Sequence, residues 1–118
     1  MKLSILGHAS LMLEDHNLRL ITDPWLIGSC YWRSWWNEPY IEYELGELRP
    51  THIYISHLHW DHYHLPTLRK LINSETIFLI PKAISRRMRN DLKEFKNKVI
   101  ELNHSKIFKI TNKIDIIS

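Results

Sequence analysis

Residues 51–66 read THIYISHLHWDHYHLP, and five of the chain's eight histidines fall inside this one stretch. The opening segment, Thr51–Ser56, is β-branched and mostly apolar, which predicts a buried strand. The histidine cluster follows directly at its end. In extended backbone, residues two apart point the same way. His57 and His59 can therefore present their imidazoles to one point, Asp61 continues the alternation, and His62 has to swing round through a turn. Imidazole nitrogen and carboxylate oxygen are the donors expected for zinc, iron or manganese. A loop held by a strand end gives the rigid support that a metal site needs. The spacing thus predicts a metal site built from His57, His59, Asp61 and His62. His64 reads as a solvent-facing loop residue, and His52 as a structural residue opening the strand.

Working outward, Lys2–Leu6 and Ser10–Glu14 are short strand-like runs. A turn at Asp15–Asn17 leads to Leu18–Thr22, the return arm of a hairpin. Residues 23–50 lack clean periodicity, carry Pro24, Pro39, Pro50, Gly28 and Gly46, and read as a long loop region. Downstream, Leu65–Asn73 is predicted helical, with Pro66 suited to the first turn. Thr76–Ile80 is an apolar strand. Ala83–Phe95 reads as a second helix with Ile84, Met88 and Leu92 on one face. Lys98–Leu102, Lys106–Ile110 and Lys113–Ile117 are short strands. This order predicts an α/β (α+β) domain whose sheet is covered on one face by helices.

Composition narrows the class. The chain has 118 residues, 44% hydrophobic and 25% charged, which suits one ordered domain. No apolar run is long enough to span a bilayer, and the N-terminus lacks the pattern of a secretory leader. Cys30 is the single cysteine, so no internal disulfide forms; it reads as a packed residue, and the expected compartment is cytoplasmic. Residues 1–50 hold four Lys/Arg against seven Asp/Glu, and residues 51–118 hold twelve against six. The excess is densest over residues 81–98, which read as the wet side of a helix. That stretch lacks the interleaved aromatics of a nucleic-acid interface, so no nucleic-acid partner is expected. The segment PWLIGSCYWRSWWNEPY gathers Trp25, Trp35 and Trp36 near the metal residues, and these aromatics read either as a substrate wall or as packing for the loop.

The hexapeptide His57-Leu58-His59-Trp60-Asp61-His62 resembles the His-x-His-x-Asp-His signature of the metallo-β-lactamase superfamily. LGHASLMLE, LRLITDPWLIG and the WW pair resemble one branch of it. That branch includes the metallo-β-lactamase-like domain of CMP-N-acetylneuraminate hydroxylase and, more distantly, the phospholipase D acting on N-acylphosphatidylethanolamine. The resemblance implies half of an αββα sandwich, with a mostly antiparallel or mixed sheet and helices on one face. It implies that His57 and His59 bind a first divalent cation and Asp61 and His62 a second. Zinc is the first expectation, with manganese or iron as alternatives. Asp23, in TDPW, is implied as a residue behind the ligands, and His8, in GHAS, as either a pocket or a packing residue. The implied chemistry is hydrolysis, in which metal-activated hydroxide, oriented by Asp61 as a catalytic residue, attacks an ester, phosphodiester or amide. A small-molecule, lipid or sugar-containing substrate is expected. The alternatives are a non-catalytic binding or assembly piece and a part of a sialate-hydroxylase-like oxidoreductase. Residues 1–118 as a whole read as the N-terminal half of such a domain, with further ligands expected beyond KIDIIS. His104 reads as a turn residue. A half-domain of this kind would expose a sheet edge, which leads to an expectation of self-association.

Overall fold

The computed structural model describes residues 1–118. The chain runs β1 (Lys2–Gly7), β2 (Ser10–Asp15), β3 (Leu18–Thr22), β4 (Ser29–Cys30), β5 (Trp35–Trp36) and α1 (Leu45–Leu48). It continues through β6 (His52–Tyr54), α2 (Leu65–Leu71), β7 (Ile77–Pro81) and α3 (Arg87–Leu92), which ends in a 3₁₀ turn at Lys93–Phe95. It closes with β8 (Val99–Leu102), β9 (Ile107–Lys109) and β10 (Asp115–Ile117). Six strands form one mixed sheet in the order β1-β2-β3-β6-β7-β8. The first three pair antiparallel, because short turns at residues 8–9 and 16–17 reverse the chain. From β3 onward the pairings are parallel; the segment carrying β4, β5 and α1 connects β3 to β6, and α2 and α3 make the next two crossovers. The fold is α/β with a mixed sheet.

Each face of the sheet has its own apolar layer. Leu6, Met12, Ile21, Ile53, Phe78 and Ile80 pack against Leu68 and Leu71 of α2 and Leu92 of α3. Leu18, Leu20, Leu79 and Leu102 face the other way, where Phe108, Ile110, Ile114 and Ile116 of the β9–β10 hairpin region cover them. Helices therefore lie on one face and a β-hairpin on the other. β7 is buried on both faces through Phe78, Leu79 and Ile80, which explains its unbroken apolar run. β1 forms one edge and leaves Leu3 and Ile5 exposed. No helix is long and apolar enough to cross a membrane.

Two local expectations are corrected. The second helix begins at Arg87 rather than Ala83, and Ile84 is fully exposed instead of facing the core. The β7–β8 ladder continues to Lys82, whose amide donates to the Leu102 carbonyl, so the chain must turn before it can coil. The Ser85 hydroxyl then accepts the Arg87 amide where the helix starts. His64 is buried rather than solvent-facing, and it caps α2. Its Nδ1 accepts the Thr67 amide at 3.3 Å and lies 2.8 Å from the Thr67 hydroxyl, which itself accepts the Leu26 amide. The cap works only while Nδ1 is bare.

Burial lowers the His64 pKa, against a smaller opposing effect of the Ser29 backbone. A histidine lowered in the folded state leaves the unfolded chain binding more protons, so stability falls as pH drops below the unfolded value of about 6.5. Urea unfolding at pH 7.5 and 5.5 is expected to show that fall. His64→Asn, which keeps a capping oxygen but does not titrate, should make it shallower; an unchanged slope would contradict the cap. Leu68, with 0% of its surface exposed, fills the space between α2 and the sheet. Leu68→Ala is expected to cost about 3 kcal/mol, read as a lower urea midpoint.

Candidate metal centre

The end of β6 delivers the cluster. After Ile55, whose amide donates to the Leu79 carbonyl, the chain leaves the sheet. A tight turn then closes with the His62 and Tyr63 amides both donating to the His59 carbonyl, at 2.9 and 2.7 Å. This turn swings His62 back over His57. The two rings lie 4.1 Å apart between centroids, and those of His57 and His59 lie 4.5 Å apart. Asp61 is buried beside them, with Oδ2 3.2 Å from His62 Nε2. The structure packs the His57 ring against His59 and His62 and sets Asp61 beside His62, while the donor atoms that gather within 4.8 Å of one another are those of His8, Asp61 and His62. His104 is exposed in the turn between β8 and β9 and is not among the donors gathered here.

Asp23 sets the orientation of two of these rings. It is buried at the end of β3, next to β6. Its Oδ1 accepts the Ser56 amide at 2.7 Å, and its Oδ2 accepts the Ser56 hydroxyl at 2.7 Å. The same Oδ2 lies 2.9 Å from His62 Nδ1. A carboxylate offers only lone pairs, so His62 Nδ1 carries the proton and Nε2 is left facing Asp61. The Ser56 hydroxyl spends its one proton on Asp23 and must accept from His57 Nδ1, 2.8 Å away. His57 is therefore also fixed with Nε2 bare. Burial, followed by the neighbouring His62 and His59, lowers the His57 pKa and keeps its lone pair free.

Tyr31 and His8 complete the surroundings of Asp61. The Tyr31 hydroxyl donates to Asp61 Oδ1 at 2.7 Å, while His8 Nε2 lies 2.9 Å from Oδ2. Burial pushes the Asp61 pKa up, but the hydrogen bonds from Tyr31, from its own amide and from His8 outweigh it and hold the carboxyl below its ordinary value. The bond to Asp61 raises the Tyr31 pKa, so the phenol stays protonated. The sequence places Tyr31 only in the aromatic loop and gives it no role beside Asp61, because it lies thirty residues away in a segment without periodicity. Cys30 is buried, its thiol 3.3 Å from the Trp60 carbonyl, and burial raises its pKa to about 11. It is a packed residue, not a nucleophile.

The tryptophans divide. Trp25 is 1% exposed and packs beneath His8, its ring centroid 5.6 Å away, so it presents no surface to a substrate; this corrects its reading as a wall residue. Its indole Nε1 donates to the Gly28 carbonyl, and its ring lies between those of His8 and His64, at 5.6 and 6.3 Å. Trp35 and Trp36 are about half exposed, and Trp35 stands 6.3 Å from His8. Tyr31 stacks on Trp60 at 5.6 Å, and both line a cavity of about 480 Å³ together with Trp32, Tyr63, Arg33 and Arg87.

The donor set fits a divalent cation. Ligand bonds of about 2.1 Å place neighbouring donors about 3.0 to 3.4 Å apart, close to the separations on either side of Asp61 Oδ2. The ligating atoms of His8, Asp61 and His62 all lie within 4.8 Å of one another. Outer partners that pin the remaining imidazole nitrogens are what such sites use.

A family model described as a beta-lactamase superfamily domain matches residues 2–115. Over 72 residues the chain is 42% identical to the cytidine monophosphate-N-acetylneuraminic acid hydroxylase of Xenopus laevis, covering 59% of this chain and 12% of that protein. The identity is the same to the inactive hydroxylase of Homo sapiens, of which 14% is covered. The chain thus spans a small part of the curated relatives that it matches. Among solved structures, CmlA, a diiron beta-hydroxylase from Streptomyces venezuelae, aligns with a TM-score of 0.63 at 20% identity, over 91% of this chain and 21% of that one. That likeness is one of fold. The chain belongs to the beta-lactamase superfamily domain family.

Proposed function

We propose that this chain carries the divalent-metal centre of a metal-dependent enzyme. The observation that supports it is the Asp23–Ser56 relay, which engages Nδ1 of both His57 and His62 and holds His62 Nε2 3.2 Å from the Asp61 carboxylate. In this reading His57 and His59 hold one ion, and Asp61 and His62 hold a second. Zinc, iron and manganese all suit imidazole and carboxylate donors. When bound, the cation supplies Lewis acidity toward a substrate oxygen and a lowered pKa for coordinated water. The protein's own share is positional. Tyr31 fixes the rotation of Asp61, Asp23 engages His62 Nδ1, the Ser56 hydroxyl engages His57 Nδ1, and Trp25 packs edge-on against His8. Trp35 and Trp36 offer a half-exposed aromatic wall for a sugar or lipid group.

Hydroxylation of a sugar-nucleotide substrate is the first reading of the reaction, on the 42% identity with the sialate hydroxylases across 59% of the chain. Hydrolysis of an ester, phosphodiester or amide is the second. It draws on the donor chemistry, which suits zinc as well as iron, and on a buried Cys30 that leaves coordinated water as the nucleophile.

Metal analysis tests the common core of both readings. Protein equilibrated with Zn(II), Fe(II) or Mn(II) and then desalted is expected to retain bound metal. The triple change His57→Ala, His59→Ala, His62→Ala should cut retention at least tenfold, and equal retention would sink the assignment. Asp23→Ala is expected to weaken binding by about 10- to 100-fold, as loss of an outer partner does. Product analysis then separates the reaction classes. Metal-loaded protein given a CMP-sialate, dioxygen and a reductant should yield the hydroxylated sugar; turnover of simple esters alone would favour hydrolysis.

A further inference from the structure

We propose that His8, from the turn between β1 and β2, is the third protein ligand of a divalent first-row transition-metal ion held with Asp61 Oδ2 and His62 Nε2. The proposal rests on the reading of this cluster as a metal centre and goes beyond it by naming a ligand outside the His57–His62 signature. Three protein ligands with an open position are the usual complement of a catalytic ion, and the signature alone offers this ion two. With His8 added, one ion is fully bound by residues of this chain.

Four features of the site carry the argument. First, a single oxygen, Asp61 Oδ2, lies 2.9 Å from His8 Nε2 and 3.2 Å from His62 Nε2. Second, His62 Nδ1 lies 2.9 Å from Asp23 Oδ2, which holds the ring with Nε2 turned to Asp61, and the ligating atoms of His8, Asp61 and His62 all lie within 4.8 Å of one another. Third, the Tyr31 hydroxyl donates to Asp61 Oδ1 and fixes the carboxylate with Oδ2 turned to His8 and His62. Fourth, His8 is held in place. Its amide donates to Asn37 Oδ1, and Asn37 Nδ2 donates to the Trp25 carbonyl. Its ring meets Trp25 and Trp35 edge-on at 5.6 and 6.3 Å. A side chain serving only to fill space at a hairpin turn has no need of this support.

Titration calorimetry with Zn(II) and visible absorption of the Co(II)-loaded protein test the assignment. His8→Ala is expected to weaken the site at least about 100-fold, beyond the loss of an outer partner, and to change the Co(II) d–d band. His8→Asp, which restores a donor, should recover much of the affinity. The double change His57→Ala, His59→Ala should leave one equivalent bound with the Co(II) band of this site. His8 is 41% exposed at its side chain, so the variant is expected to fold, and far-UV circular dichroism checks that. Binding by His8→Ala with unchanged affinity and spectrum overturns this proposal alone. Weakened binding with an unchanged spectrum also overturns it, since that marks a hydrogen-bonding role. Absence of any metal binding by the unaltered chain overturns both this proposal and the metal-centre reading.

Discussion

The Asp23 carboxylate is the constraint on which the site depends. Its backbone sits at φ 38°, in the left-handed region that a non-glycine residue enters at a cost of about 1–2 kcal/mol. Its amide donates to the Tyr54 carbonyl and its carbonyl accepts the Ser10 hydroxyl, so the strained residue is tied to both β6 and β2. Its two oxygens take the Ser56 amide, the Ser56 hydroxyl and His62 Nδ1. Hydrogen bonds to an ionised acceptor are among the strong ones, and together they offset the strain. One side chain thus joins two strand ends and orients His62 directly and His57 through the Ser56 hydroxyl.

Topology explains why these residues meet. β3 and β6 run parallel, so Asp23 and the Ser56–His62 loop leave the sheet at the same edge. The carboxyl ends of parallel strands are where α/β sheets usually place ligands. β2 runs antiparallel to β3, so its start, and with it the turn carrying His8, falls at that edge too. The antiparallel and parallel halves of the sheet therefore each contribute a side of one cluster.

The aromatic loop adds a second strained element. Tyr31, Trp32 and Arg33 hold φ of 50°, 54° and 68° in succession, with no glycine among them. Contacts made at this turn compensate. The Tyr31 hydroxyl reaches Asp61, its ring stacks on Trp60, and the Cys30 thiol donates to the Trp60 carbonyl. The same turn that aims Tyr31 at Asp61 puts Trp32 and Arg33 on the wall of the neighbouring cavity.

Much of this was legible in the order of residues. The strand at Thr51–Ser56 and the candidate donors at 57, 59, 61 and 62 follow from period-two alternation and ligand chemistry, both of which are local, while Asp23 was implied only by the family resemblance. The strands and α2 were legible for the same reason, since each is a short run with its own apolar pattern. What the sequence could not carry depends on contacts between distant segments. The start of α3 was decided by the β7–β8 ladder running on to Lys82, and the burial of His64 by the Thr67 cap and the Leu26 amide. Trp25 went into the core and Trp35 to the surface, although both belong to one aromatic run. Tyr31 and His8 reach Asp61 across 30 and 53 residues, through a strained turn and a hairpin that only the assembled sheet brings to the same edge. Local chemistry named the donors; the packing of β2, β3 and β6 decided which of them face one another.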